Sequence, residues 1–167
     1  VSDPLIIDFK TKFAEKYIKS ASFNVNQQVF SDFFKPEYVA KIPLISKIPA
    51  GTPLEVIDNV EAWVSVPESL IHDGDYFYLR VQDNNLNNSR ICKGDIVLVR
   101  CQHNVEDGMI AVVRIDGQDG VLKHIKNKGE GLFLLSDDHL AEPMIIEKDR
   151  ITIIGKVVRV EFEPKRK

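Results

Sequence analysis

Met109-Ile110-Ala111-Val112-Val113-Arg114-Ile115, then Asp116-Gly117-Gln118-Asp119-Gly120, then Val121-Leu122-Lys123-His124-Ile125: these three consecutive stretches decide how the chain folds. The outer two are rich in β-branched and aliphatic residues, and the middle one is a run of turn formers. Short β-rich stretches separated by Asp/Gly turn signals point to antiparallel strands. Along the second strand, alternation puts Val121 and Lys123 on one face and Leu122 and His124 on the other.

Outward from these stretches the same pattern repeats. Tyr76-Phe77-Tyr78-Leu79-Arg80-Val81 and Asp95-Ile96-Val97-Leu98-Val99-Arg100 are β-rich, as are residues 131–135 and 151–162. Turn signals separate them at His72-Asp73-Gly74-Asp75, Lys93-Gly94-Asp95 and Glu106-Asp107-Gly108. Short strands at close spacing predict a mostly β, antiparallel domain over residues 41–167. Helix-length segments between the strands are absent, which argues against a doubly wound α/β sheet.

Residues 1–40 differ in character and are predicted to form a helical N-terminal segment and linker. Asp3 is a candidate N-cap and Pro4 suits the first helical position. Leu5, Ile6, Phe9, Phe13 and Tyr17 recur near helical spacing. A second short helix is expected over about residues 26–34, with Val29, Phe30, Phe33 and Phe34 as its apolar face and Pro36 ending it. Six of the nine phenylalanines lie in this region, too many for two short helices to bury between themselves. They are expected to pack on the following domain or on a protein partner. The segment is too short for a complete helix-turn-helix domain.

Composition narrows the function classes. The chain has 167 residues, 44% of them hydrophobic, and a net charge of −3. That balance lacks the basic footprint of a chain that grips nucleic acid by itself, so DNA contact is expected only through a domain absent from this chain. Two cysteines, Cys92 and Cys101, are too few for a disulfide scaffold and have no metal-binding spacing. His72, His103, His124 and His139 show no metal spacing either and are read as surface or turn residues. No cofactor or metal is expected. No apolar run reaches the roughly 18 residues of a membrane span, and a cytoplasmic location without membrane contact is expected.

The order of small motifs carries more information than any one of them. Ile48-Pro49-Ala50-Gly51-Thr52-Pro53-Leu54 comes first, and Leu79-Arg80-Val81-Gln82-Asp83-Asn84-Asn85-Leu86 follows. Next come Ile91-Cys92-Lys93-Gly94-Asp95-Ile96-Val97, Asp107-Gly108-Met109-Ile110-Ala111-Val112-Val113 and Val121-Leu122-Lys123-His124-Ile125. Ile153-Ile154-Gly155-Lys156-Val157-Val158 closes the series. This order and spacing resembles the self-cleaving C-terminal domain of LexA, the lambda-type phage repressors and UmuD, over roughly three quarters of the chain.

The resemblance implies a LexA/signal-peptidase-like β fold and a Ser/Lys peptidase site. It places the scissile bond at Ala50-Gly51, and Gly51 permits backbone shapes barred to other residues. It places the general base at Lys123. A lysine can serve as base only when neutral, a state favoured by burial among groups such as Val121, Leu122 and Ile125. The nucleophilic serine belongs at Asn85, counted without a gap from Arg80-Val81 to Gly94-Asp95. Leu86 stands where the family has Met, and Asp83 and Asn84 also depart from its pattern. These neighbouring departures fit natural drift better than one engineered change.

A carboxamide nitrogen has a delocalised lone pair and cannot replace an activated hydroxyl. The chain therefore reads as a pseudo-peptidase. Ser89 and Cys92 are the nearby candidates for a substitute nucleophile, and both would be displaced by several ångströms, where about 1 Å already matters. The resemblance also implies a homodimer through the C-terminal strand, residues 151–162, at a sheet edge or isologous interface. The leading expectation is the regulatory and dimerisation domain of a repressor. The alternatives are an active self-cleaving peptidase with an engineered or substitute nucleophile, and a UmuD-like accessory module that binds another protein.

Overall fold

The computed structural model describes residues 39–53, 59–129, 131–136 and 143–162. The helices expected within residues 1–35, with their phenylalanine-rich faces, lie outside the described residues, as does His139. Contacts divide the chain after Glu37, and the described residues belong to the unit that begins at Tyr38.

Nine described strands form one sheet. They are β1 (Val39–Ile45), β2 (Val60–Pro67), β3 (Tyr76–Arg80), β4 (Ile96–Cys101), β5 (Ile110–Ile115), β6 (Val121–Lys128), β7 (Gly131–Leu135), β8 (Met144–Glu147) and β9 (Ile151–Glu161). Their order is β2-β1-β3-β4-β9-β5-β6-β7-β8. The mostly β fold expected from the short, closely spaced strands is therefore observed. Every pairing is antiparallel except the short parallel ladder of Leu44 and Ile45 with Tyr78 and Leu79. No helix among the described residues is long and apolar enough to cross a membrane.

β1, β2 and β8 are not among the strands named from the sequence. Pro43 interrupts β1, yet only Leu44 and Ile45 pair with β3, so the missing N–H breaks no ladder on that side. β2 is largely exposed, with Trp63 at 61% exposure, and it lacks the continuous apolar run of a buried strand.

β9 is not a sheet edge, contrary to one of the two settings expected for it. Residues 151–156 pair with β5 and residues 155–161 with β4, so this 11-residue strand bridges two six-residue ones. Each half leaves one side without a partner strand among the described residues.

The core lies in three clusters. Ile45, Ile48, Phe77, Leu79, Leu86, Ile91, Val97 and Val99 belong to one, with Leu122 packed against it. Ala111, Val113, Ile125, Leu132 and Leu134 build the second from the opposite faces of β5 and β6. The third gathers Ile42, Leu44, Val66, Tyr78 and Leu98. Tyr78 is fully buried, and its hydroxyl donates to Glu161 Oε1. Burial, with that bond to a carboxylate, pushes the phenol well above its ordinary range and keeps it a neutral donor.

Candidate functional site

The loop from Val81 to Asp95 is pinched at its neck. Val81 N–H donates to Asp95 O at 2.8 Å and Gly94 N–H to Val81 O at 2.9 Å. Inside the loop a bridge joins Leu86 to Ile91, and a 3₁₀ turn, Asn87–Ser89, spans the bend before Arg90, whose φ is 61°. Leu86 and Ile91 are 2% and 1% exposed and anchor the loop in the first core cluster.

Each residue that departs from the family's pattern has a structural use here. Asp83 Oδ1 accepts from Asn85 N–H at 3.0 Å, and Asn84 Oδ1 accepts from Lys93 N–H at 2.9 Å. These are the local side-chain-to-backbone bonds that Asp and Asn form readily. Leu86 supplies the apolar anchor. Asn85 remains as an exposed turn residue two positions before the 3₁₀ turn begins at Asn87.

Lys123 and His124 lie on opposite faces of β6, as alternation requires. Lys123 pairs with Ala111, a member of the second cluster, and His124 pairs with Ile110, which packs against the first. Lys123 is half-buried, and its Nζ donates to Ser136 Oγ at 2.5 Å, just beyond the end of β7. His124 is also half-buried, with Nε2 2.9 Å from Ser89 Oγ. The reading of His124 as a surface or turn residue is thereby corrected, because a position inside β6 is flanked by strands on both sides. His72 and His103 are exposed. Among the described residues there is no cluster able to hold a metal ion.

The Ala50-Gly51 loop is docked on the turn between β5 and β6. Ile48, fully buried, shares the first cluster with Leu86, and its carbonyl accepts from Gly120 N–H at 2.8 Å. A Cβ on Gly120 would lie 2.9 Å from Ile48 Cβ, so glycine lets the two segments approach. Ala50 N–H donates to Asp119 Oδ1 at 2.7 Å and Gly51 N–H to Gly117 O at 3.2 Å. Gly51 adopts φ +65°, the left-handed conformation that glycine reaches without strain.

Arg114 clamps both sides of this bond. Its Nη2 donates to Pro49 O at 2.8 Å and also to Thr52 O. The turn beneath is fixed in its own right. Arg150 grips the Asp116 carboxylate through Nε and Nη2, and its proximity holds that carboxyl below the usual range. Arg114 was quoted in the sequence as part of a strand without a role. No spacing rule flags it, because its acceptors lie 62 and 65 residues away.

Charge-assisted hydrogen bonds contribute more than neutral ones. In Arg114→Ala, hydrogen–deuterium exchange at Ala50 and Gly51 is expected to accelerate by about tenfold to a hundredfold. Unchanged exchange would show that Asp119 and Gly117 alone hold the loop.

A cleft of about 270 Å³ ties these parts together. Ser46 and Lys47 lead into it from β1, Gln82 and Asp83 border it from the Asn85 loop, and Asp119 and Leu122 border it from the hairpin. It is bordered by chain neighbours of the candidate residues, but Ala50, Gly51, Asn85 and Lys123 do not themselves line it. A larger concavity of about 510 Å³, lined by His103, Val105, Ile125 and Lys148 among others, shares no residue with it.

Comparison with known proteins agrees with this arrangement. Residues 43–158 match the Peptidase S24-like family. The LexA repressor of Thermotoga petrophila is 36% identical over 121 residues, which is 72% of this chain and 61% of that protein. That of Pelagibacter ubique is 34% identical over 118 residues, covering 71% and 52%. That of Brevibacillus brevis is 31% identical over 131 residues, covering 78% and 62%. The chain thus spans about three fifths or less of the length of these relatives. With the family match extending from β1 to β9 and enclosing the cleft, this chain belongs to the Peptidase S24-like family.

Proposed function

We propose that this chain is the regulatory domain of a LexA-like or phage-type transcriptional repressor, and that it does not cleave itself. The single observation that carries the second half is Asn85, an exposed residue without a nucleophilic atom where the family resemblance puts the serine, in a loop whose Gln82 and Asp83 border the cleft. The loop is the docked pseudo-substrate and Lys123 the retained base position. The attacking atom is the missing part. The test is the intact mass of the protein after prolonged incubation at raised pH. An unchanged mass is expected, and fragments ending at Ala50 would favour an active peptidase with a substitute nucleophile.

In the same reading the domain joins two copies. Dimerisation serves a repressor by raising the effective concentration of the second DNA-binding unit at a paired site. Operator contact is made outside the S24 segment. The far half of β9 supports this role, because, among the described residues, 157–161 pair with β4 alone, and Val158 and Phe162 are exposed. Analytical ultracentrifugation of Val158→Glu should show at least a tenfold weaker dimer, since a desolvated charge at a twofold axis meets its own copy. A monomeric wild type, or an unaffected variant, would remove β9 from the interface.

A further inference from the structure

We propose that Ser136 is the positioning residue of Lys123: its hydroxyl holds the lysine amine beside the end of β7, on the face of the second core cluster. This rests on the reading of Lys123 as the retained base position. The observation is the 2.5 Å bond from Lys123 Nζ to Ser136 Oγ, between two half-buried side chains.

Ser136 reaches Lys123 through the strand register. His124 pairs with Leu135, so the residue after Leu135 lies alongside the one before His124. Alternation then puts Ser136 on the face of Leu132 and Leu134, in the same layer as Ala111 and Ile125. Lys123 points into that layer, where an amine without an acceptor is costly. Among the described residues, Ser136 is the acceptor that Lys123 finds there.

The assignment differs from a substitute nucleophile. Ser89, the candidate weighed from the sequence, contacts His124 on the opposite face of β6. Ser136 acts through Lys123, fixing where the amine sits and how freely it reacts.

The test has two arms. In the first, the otherwise wild-type protein is treated with trace acetic anhydride, and acetylation of each lysine is followed by peptide mass spectrometry. Ser136→Ala should speed acetylation of Lys123 about twofold to tenfold, as the amine is released. Ser136→Thr, which keeps the hydroxyl, should restore the original rate, and Lys41 should not change. Equal rates in all three proteins overturn the proposal. In the second arm the same changes are made on Asn85→Ser, with self-cleavage as the readout. Slower cleavage with Ala and rescue with Thr support positioning, whereas equal cleavage with Ala overturns it. If Asn85→Ser never cleaves while the acetylation pattern appears, the retained-site reading fails and the Ser136 assignment stands.

Discussion

Asn85→Ser is expected to turn an intact protein into two fragments at alkaline pH, one ending at Ala50 and the other starting at Gly51. The substitution puts a hydroxyl on a Cβ whose backbone is already placed. Asp83 holds the residue's N–H, and Leu86, the next residue, is anchored in the core. The Ala50-Gly51 loop is already docked by Arg114, Asp119 and Gly117. In the proposed reading the missing part is the nucleophile, whose loss in another serine protease costs on the order of 10⁶ in rate. Restoration should therefore recover at least about 10³-fold over wild type, with the remainder limited by the altered neighbours. Alkaline pH favours the reaction because a lysine base works only unprotonated. Lys123→Met on the same background should abolish the fragments. Gel electrophoresis and intact mass read the result, and an Asn85→Ser protein that stays whole would mean that the site has lost more than its attacking atom.

Gly155→Ala is expected to be the most damaging conservative change in the sheet. Gly155 is one of two β9 residues that pair on both sides, with Cys101 of β4 and Val112 of β5. An added Cβ would run into the backbone carbonyl of Arg100 and lie 2.6 Å from Val99 Cγ1. A flexible side chain could move aside, but a carbonyl within the ladder can move only if β4 and β9 separate. The expected loss is about 3 kcal/mol or more, at the upper end of overpacking changes. Urea denaturation should show a lower midpoint with little change in slope. A loss below about 0.5 kcal/mol would mean that the strands can spread at little cost.

Much of the fold was legible because strand periodicity is local. Residues 109–115 and 120–125 read as β-rich on either side of a turn signal, and they form β5 and β6. β1 and β2 were not legible, since a proline and an exposed face remove the signal that marks a buried strand. The setting of β9 was misjudged in part. Alternation shows that a strand has an apolar face but not how many neighbours it has, and β9 has two.

The candidate site divides along the same line. The sequence by itself determined that position 85 carries no nucleophile, because a side chain's chemistry is a property of the residue alone. It also determined that Lys123 and His124 face opposite ways, since the two-residue period of a strand admits nothing else. Only the tertiary structure decided what each of them meets. Lys123 finds Ser136, His124 finds Ser89, and the carbonyls around Ala50-Gly51 find Arg114. Those partners sit 13 to 65 residues away, and the pairing register that brings them within hydrogen-bond reach is set by packing across strands rather than by any local pattern.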